Sequence, residues 1–193
     1  MFTGIVEEKA KVVHLKKSKD IYVLDITARR ISKGLRIGES VAVNGVCLTV
    51  TKIQSPRIFF DIMRESLLAT SLGQLKSGDW VNCERAISNH SRFNGHFVTG
   101  HVDAAVPIKK ITREGKFVEF QIVLPRAIKR YIVTKGSISV DGVSLTIGRV
   151  GTNWFSVFLI PLTLKITTLG QRCAGDLVNL EADLLAKYIL KSG

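Results

Sequence analysis

Apolar and polar positions alternate along VAVNGVCLTV (residues 41–50) and again along ISVDGVSLTI (138–147). Each run is interrupted by a turn dipeptide, Asn44-Gly45 or Asp141-Gly142. Such dipeptides are the strongest short-range hairpin signal, so each run reads as two strands joined by a tight turn. IFFDIM (58–63) and WFSVFLI (154–160) predict further strands, being rich in Phe, Val and Ile. Turn signals such as SGDW, TREGK and VGTNW separate these runs. RESLLATSL and LTLKITTL each fit a short helix before the next glycine, although the second is also strand-like.

The two hairpin runs are copies of one another. Five of their ten paired positions are identical, and the offset of 97 persists downstream. There TSLGQLKSGDWVNCE (70–84) matches TTLGQRCAGDLVNLE (167–181) at nine of fifteen positions without a gap. Chance would give roughly one in fifteen at this composition. FTGI (2–5) matches VTGH (98–101) at an offset of 96. A period near 97 is too long for a solenoid unit and suits a small domain. The expectation is an all-β chain of two tandem domains, 1–96 and 97–193. Each has about six short antiparallel strands closed, or nearly closed, into a barrel that buries its core and hides its edges. The tail LEADLLAKYILKSG breaks the repeat. Leu184, Leu185, Tyr188 and Ile189 recur at helical spacing, with Glu181, Asp183, Lys187 and Lys191 between them, which predicts a helix over about 182–192. Two turns of helix are marginal alone. Docking on its own barrel and packing against the same helix of other subunits both fit the pattern.

Composition narrows the class. Apolar residues make up 46% of the 193 positions, ample for a packed core, and prolines number 4. No apolar run approaches the roughly 20 residues of a membrane span. MFTGIVEEKA lacks a basic region followed by an apolar one, so a cytoplasmic protein without a secretory signal is expected. Cys47, Cys83 and Cys173 are an odd number with no CxxC pair, against a disulfide framework and against a zinc site. The net charge of +12 raises the possibility of an anionic partner. That charge is thinly spread, however, and no aromatic stacking platform lies on the strands, against a nucleic-acid binder.

Reactive groups differ between the copies. The first carries Ile5, Cys47 and Thr49 where the second carries His101, Ser144 and Thr146. At a period of two, Cys47 and Thr49 share one strand face, as do Ser144 and Thr146. Such a polar pair suits either a small pocket at a barrel mouth or a satisfied, half-buried strand. His101, in TGHVD, is a candidate acid or base as well as a plausible structural residue. Two similar pockets with different decoration suit a reaction that consumes two copies of one substrate in distinct roles.

MFTGIV, VNGVCLTV, TSLGQLKSGDWVNCERA, GHFVTGHVD, KGSISVDGVSLTI and the IPLT…TTLG…GD.VNLE.D..AKY series occur in one order along essentially the whole chain. Together they resemble the riboflavin synthase family of the alpha-chain type. The resemblance implies two six-stranded barrels per subunit and a homotrimer gathered around the carboxy-terminal helix. It implies dismutation of two 6,7-dimethyl-8-ribityllumazine molecules into riboflavin and 5-amino-6-ribitylaminouracil by four-carbon transfer, without metal or organic cofactor. Sites would form between the first barrel of one subunit and the second barrel of a neighbour. Some relatives also join a lumazine synthase shell.

Carried over by position, the resemblance implies first-barrel ligand contacts at Gly4, Ile5 and Val6, and at Cys47, Leu48 and Thr49. The run Asp61, Ile62, Met63, Arg64, Glu65 and Ser66 completes that set. For the second barrel it implies Gly100, His101 and Val102, then Lys135, then Ser144, Leu145 and Thr146. The run Phe158, Leu159, Ile160, Pro161, Leu162 and Thr163 follows. Cys47, His101 and Ser144 are the candidates for proton shuttling or nucleophilic addition. Three departures stand out: Asn94 replaces the first glycine of the family's GGHxVxGHVD, Leu162 replaces the histidine of IPHT, and SNHSRFNGH is irregular. The competing function is a non-catalytic lumazine- or flavin-binding antenna protein of the same fold.

Overall fold

The computed structural model describes residues 1–89 and 92–190; the side chain of residue 114 is also outside the description. The first repeat supplies β1 (Glu8–Ser18), β2 (Ile21–Thr27), β3 (Ser40–Val43), β4 (Val46–Gln54), β5 (Arg57–Ile62), α1 (Arg64–Ala69) and β6 (Trp80–Arg85). The second supplies β7 (Ala104–Glu114), β8 (Phe117–Val123), β9 (Ser137–Val140), β10 (Val143–Val150), β11 (Trp154–Leu159), α2 (Pro161–Ile166) and β12 (Leu177–Ala182). Each set of six strands closes into an antiparallel barrel, ordered β1-β2-β5-β4-β3-β6 and β10-β11-β8-β7-β12-β9.

The alternation read from sequence is the alternation of burial. Val46, Leu48 and Val50 of β4 enter the first core, which also holds Leu24, Ile26, Ile58 and Phe60. Val143 and Ile147 of β10 enter the second, with Phe120, Ile122, Phe155 and Val157. LTLKITTL resolves as helix α2, because Pro161 at its start pre-sets the helical φ. The carboxy-terminal helix α3 is shorter than expected, Leu184–Ile189, capped by the Asp183 carboxylate accepting from the Leu185 N–H at 3.0 Å. Ala182 is the last residue of β12, and residues 191 and 192 of the expected helix lie outside the described residues, as do residues 90 and 91 of the irregular SNHSRFNGH stretch.

Both hairpins turn through left-handed backbone, with φ of 45° and 77° at Asn44-Gly45 and 46° and 77° at Asp141-Gly142. These angles are what a two-residue turn matched to strand twist demands. The two turns abut each other across an approximate twofold axis between the barrels. Asn82 Nδ2 donates to the Asp141 carbonyl and Asn179 Nδ2 to the Asn44 carbonyl, each at 2.8 Å. A Cβ on Gly45 would stand 2.7 Å from the Gly142 nitrogen. Gly45→Ala is therefore expected to cost about 1–3 kcal/mol, from strained φ and a backbone clash together. Urea unfolding of the two proteins measures it, and equal midpoints would contradict the close approach.

Candidate functional site

The outward faces of β4 and β10 hold the paired polar residues. Cys47 is half-buried and Thr49 exposed; Ser144 is half-buried and Thr146 exposed, while the alternate positions fill the barrels. What covers Cys47 and Ser144 was not foreseen. Gly100 and Gly4 come from the segments that precede β7 and β1, and these segments cross over. The Ser144 N–H donates to the Gly4 carbonyl at 2.7 Å, and the Cys47 N–H to the Gly100 carbonyl at 2.9 Å.

The packing of these segments crosses the grouping expected from sequence. Gly4, Ile5 and Val6 belong with the second barrel, where Val6 enters the core. Gly100, His101 and Val102 belong with the first, against whose core Val102 packs. The physical reason is a two-stranded bridge on the axis: Phe2 and Val98 pair antiparallel and exchange hydrogen bonds of 2.7 and 3.1 Å. Leaving that bridge, each segment runs over its neighbour's hairpin before starting its own first strand. Core membership thus differs from the boundary drawn between 96 and 97.

The crossing segments are held by buried carboxylates. Glu84 of β6 accepts from the Thr3 N–H at 2.7 Å and hydroxyl at 2.8 Å on one oxygen, and from the Gly4 N–H at 3.0 Å on the other. Glu181 of β12 does the same for Thr99, at 2.7 Å twice, and for Gly100 at 2.9 Å. Gly4 and Gly100 have φ of 78° and 82°. A Cβ on Gly4 would lie 2.6 Å from the Ser144 Cβ, and one on Gly100 2.5 Å from the Cys47 Cβ, so only glycine permits the approach.

Two half-sites result, alike in backbone and unlike in chemistry. One joins Cys47 and Thr49 to exposed His101. The other joins Ser144 and Thr146 to exposed Ile5 and to His96, whose Nδ1 lies 2.7 Å from the Ser144 Oγ. His96 is a candidate that sequence reasoning missed, although it is the first histidine of GHFVTGHVD. Its ring is buried and its Nε2 has no partner among the described residues. Burial holds its pKa below the ordinary imidazole value, against a weaker opposite pull from Asp183. Neutral His96 can polarise the serine hydroxyl in either tautomer. Protonation would cost it one acceptor. Turnover is therefore expected to fall on the acid side only below the pH range in which an ordinary imidazole protonates, and His96→Gln is expected to remove that limb. A pH–rate profile unchanged by the substitution would exclude His96 from the chemistry.

The remaining candidates flank the two half-sites or lie within the barrels. Asp61, Met63, Arg64 and Glu65 are exposed and Ser66 half-buried where β5 passes into α1. Phe158, Ile160, Pro161 and Leu162 are exposed and Thr163 half-buried at the matching passage from β11 into α2. Ile62, Leu159 and Leu48 are core residues, which leaves only their main chain for a ligand. Leu145 packs partly on the second core. Lys135 takes a φ of 68° where the first copy has Gly38, and its N–H donates to Ile147 at 2.8 Å. Left-handed backbone in a lysine costs of order 1 kcal/mol and marks a position that the surrounding fold dictates. A cleft of about 770 Å³ borders Thr3, Ile5, Ser40, Glu84 and Arg85, and Ile5 is the candidate contact that it reaches. Of the cysteines, Cys83 is buried, which pushes its thiol pKa far up, and Cys173 is exposed. Among the described residues no cluster of three or more metal-ligating side chains occurs, and no helix is long and apolar enough to cross a membrane.

Comparison with known proteins gives this arrangement a family. The model of the lumazine binding domain matches twice, over residues 3–86 and 99–183. The chain is 43% identical over 189 residues to the riboflavin synthase of Actinobacillus pleuropneumoniae, covering 98% of this chain and 88% of that one. It is 44% identical over 193 residues to the riboflavin synthase of Mycobacterium bovis, covering 98% and 96%. Among solved structures, LumP complexed with riboflavin superposes with a TM-score of 0.86 at 28% identity, covering 94% of this chain and 99% of that one. LumP complexed with 6,7-dimethyl-8-(1′-D-ribityl)lumazine gives 0.85 at 26%. With two lumazine-binding domains and such relatives along nearly its whole length, the chain belongs to the riboflavin synthase family.

Proposed function

We infer that the chain is a riboflavin synthase, a transferase that dismutates two 6,7-dimethyl-8-ribityllumazine molecules into riboflavin and 5-amino-6-ribitylaminouracil. The observation that carries the reading is the unequal pair of half-sites on one backbone frame. A four-carbon transfer between two identical molecules needs one to lose a proton from its C7 methyl and the other to accept a nucleophile at C7. Two pockets that bind the same ring and differ at 47/144 and 5/101 supply that inequality. Thr49 and Thr146 hydroxyls and main-chain groups suit the pyrimidine edge. To His96 with Ser144 on one side, and Cys47 with His101 on the other, we assign proton transfer or addition. Holding two rings in register turns a bimolecular encounter into an intramolecular one.

Apolar side chains are exposed where β5 passes into α1, at Met63 (64% exposed) and Leu68 (76%), and where β11 passes into α2, at Ile160 (48%) and Leu162 (59%). Helix α3 exposes Tyr188 (65%) and Ile189 (71%). These faces support a homotrimer, with each site closed between the first barrel of one subunit and the second barrel of the next. Leu162, in place of a histidine, makes the second half-site rely on His96 for its imidazole. A cytoplasmic location completes the proposal.

The LumP structures favour a second reading, a non-catalytic lumazine-binding protein. Higher identity to the synthases, 43–44% against 26–28%, and the reactive groups at 47, 101 and 144 weigh toward the enzyme. Incubation with the lumazine alone separates the two. Riboflavin absorbance is expected to rise, and tight binding without turnover would establish the antenna reading.

A further inference from the structure

Glu84 and Glu181 lie on one barrel each, and the segment that each grips works on the other. Thr3 and Gly4, held by Glu84 of the first barrel, deliver Ile5 and the Gly4 carbonyl to Ser144 of the second. Thr99 and Gly100, held by Glu181 of the second barrel, deliver His101 and the Gly100 carbonyl to Cys47 of the first. We propose that these glutamates are positioning residues that act across the barrels, Glu84 setting the geometry of the Ser144 half-site and Glu181 that of the Cys47 half-site. The proposal rests on the riboflavin synthase reading and adds residues to it.

Three observations carry it. Both side chains are almost fully buried, at 6% and 2% exposure, where an anion persists only if its oxygens are saturated by donors. Both oxygens of each carboxylate accept main-chain N–H groups of the crossing segment. The gripped glycines also approach Ser144 and Cys47 so closely that no Cβ fits, so a shift of a few tenths of an ångström is felt at the reactive side chain. Glutamine in either place keeps one acceptor and turns an amide N–H₂ against the Gly4 or Gly100 N–H. The segment must then move.

Double-mutant cycles test this, with turnover and riboflavin affinity as separate readouts. Glu84→Gln is expected to lower kcat about tenfold alone, to add less than twofold to Ser144→Ala, and to keep its full effect on His101→Ala. Glu181→Gln is expected to behave in the opposite way, losing its effect on His101→Ala and keeping it on Ser144→Ala. A purely structural role would lower thermal stability and stay additive in all four combinations, which would overturn the proposal. Coupling to the half-site on the glutamate's own barrel would overturn it too. Should either glutamine variant fail to fold, Thr3→Val and Thr99→Val remove one hydrogen bond from the same clamps and enter the same cycles. If the protein binds the lumazine without turning it over, the function reading fails. The cycles then run on riboflavin affinity, where crossed coupling supports the cross-barrel positioning and additivity still overturns it.

Discussion

Ser144→Ala is expected to slow riboflavin formation at least about a hundredfold while leaving lumazine affinity within about threefold. Positioned proton transfer contributes of order 10² to 10⁴ to a rate, and the serine hydroxyl is the group through which buried His96 reaches the half-site. Its removal takes away few apolar contacts, because Ser144 faces out of the barrel and its backbone N–H stays bonded to Gly4. Substrate should therefore still bind, and the loss should fall on kcat rather than on affinity. The substitution also strands both ring nitrogens of His96, so a stability cost of about 1–3 kcal/mol should accompany it. Rates from riboflavin absorbance and affinities from ligand fluorescence decide the matter. An unchanged rate would remove Ser144 from the chemistry.

Deleting residues 184–193 is expected to give monomers with less than about one hundredth of the activity. Helix α3 contributes no residue to the buried core of either barrel, and one of its ties is the 2.7 Å pair between Lys187 and Asp103. A partly exposed pair of this kind is worth about 1 kcal/mol at most, so both barrels should remain folded without it. Leu185, Tyr188 and Ile189 are exposed in the single chain, which suits a contact between subunits. The cut spares Asp183 beside His96. Sedimentation and turnover measured on one sample give the answer, and a fully active monomer would contradict sites shared between subunits.

The barrels were legible because their signals are local. Asn44-Gly45 and Asp141-Gly142 name their own turn, and Val46, Leu48 and Val50 name their own face. The pairing of Cys47 with Thr49 and of Ser144 with Thr146 followed from the same period of two. Crossing of the segments was not legible, since the Gly4–Ser144 contact spans 140 positions and leaves no periodic trace. Reading the repeat as two self-contained units left unseen that Gly4 meets Ser144 and Gly100 meets Cys47 across the barrels. His96 was passed over because a histidine in a linker carries no pattern; its meaning comes from burial beside Ser144. Helix α3 proved shorter because Ala182 stays in the last strand and Asp183 caps the turn that follows.

The bridge between Phe2 and Val98 joins residues that occupy equivalent places in the two copies. Asn82 reaches Asp141 as Asn179 reaches Asn44, and Gly45 meets Gly142. Contacts in which i touches j and the equivalent of j touches the equivalent of i define an isologous interface, the kind two identical subunits make. The chain is thus built as a homodimer whose members have been spliced end to end. In a true homodimer every substitution would appear on both sides at once. Splicing lifted that constraint, and cysteine could stand at one of two equivalent places while serine stood at the other.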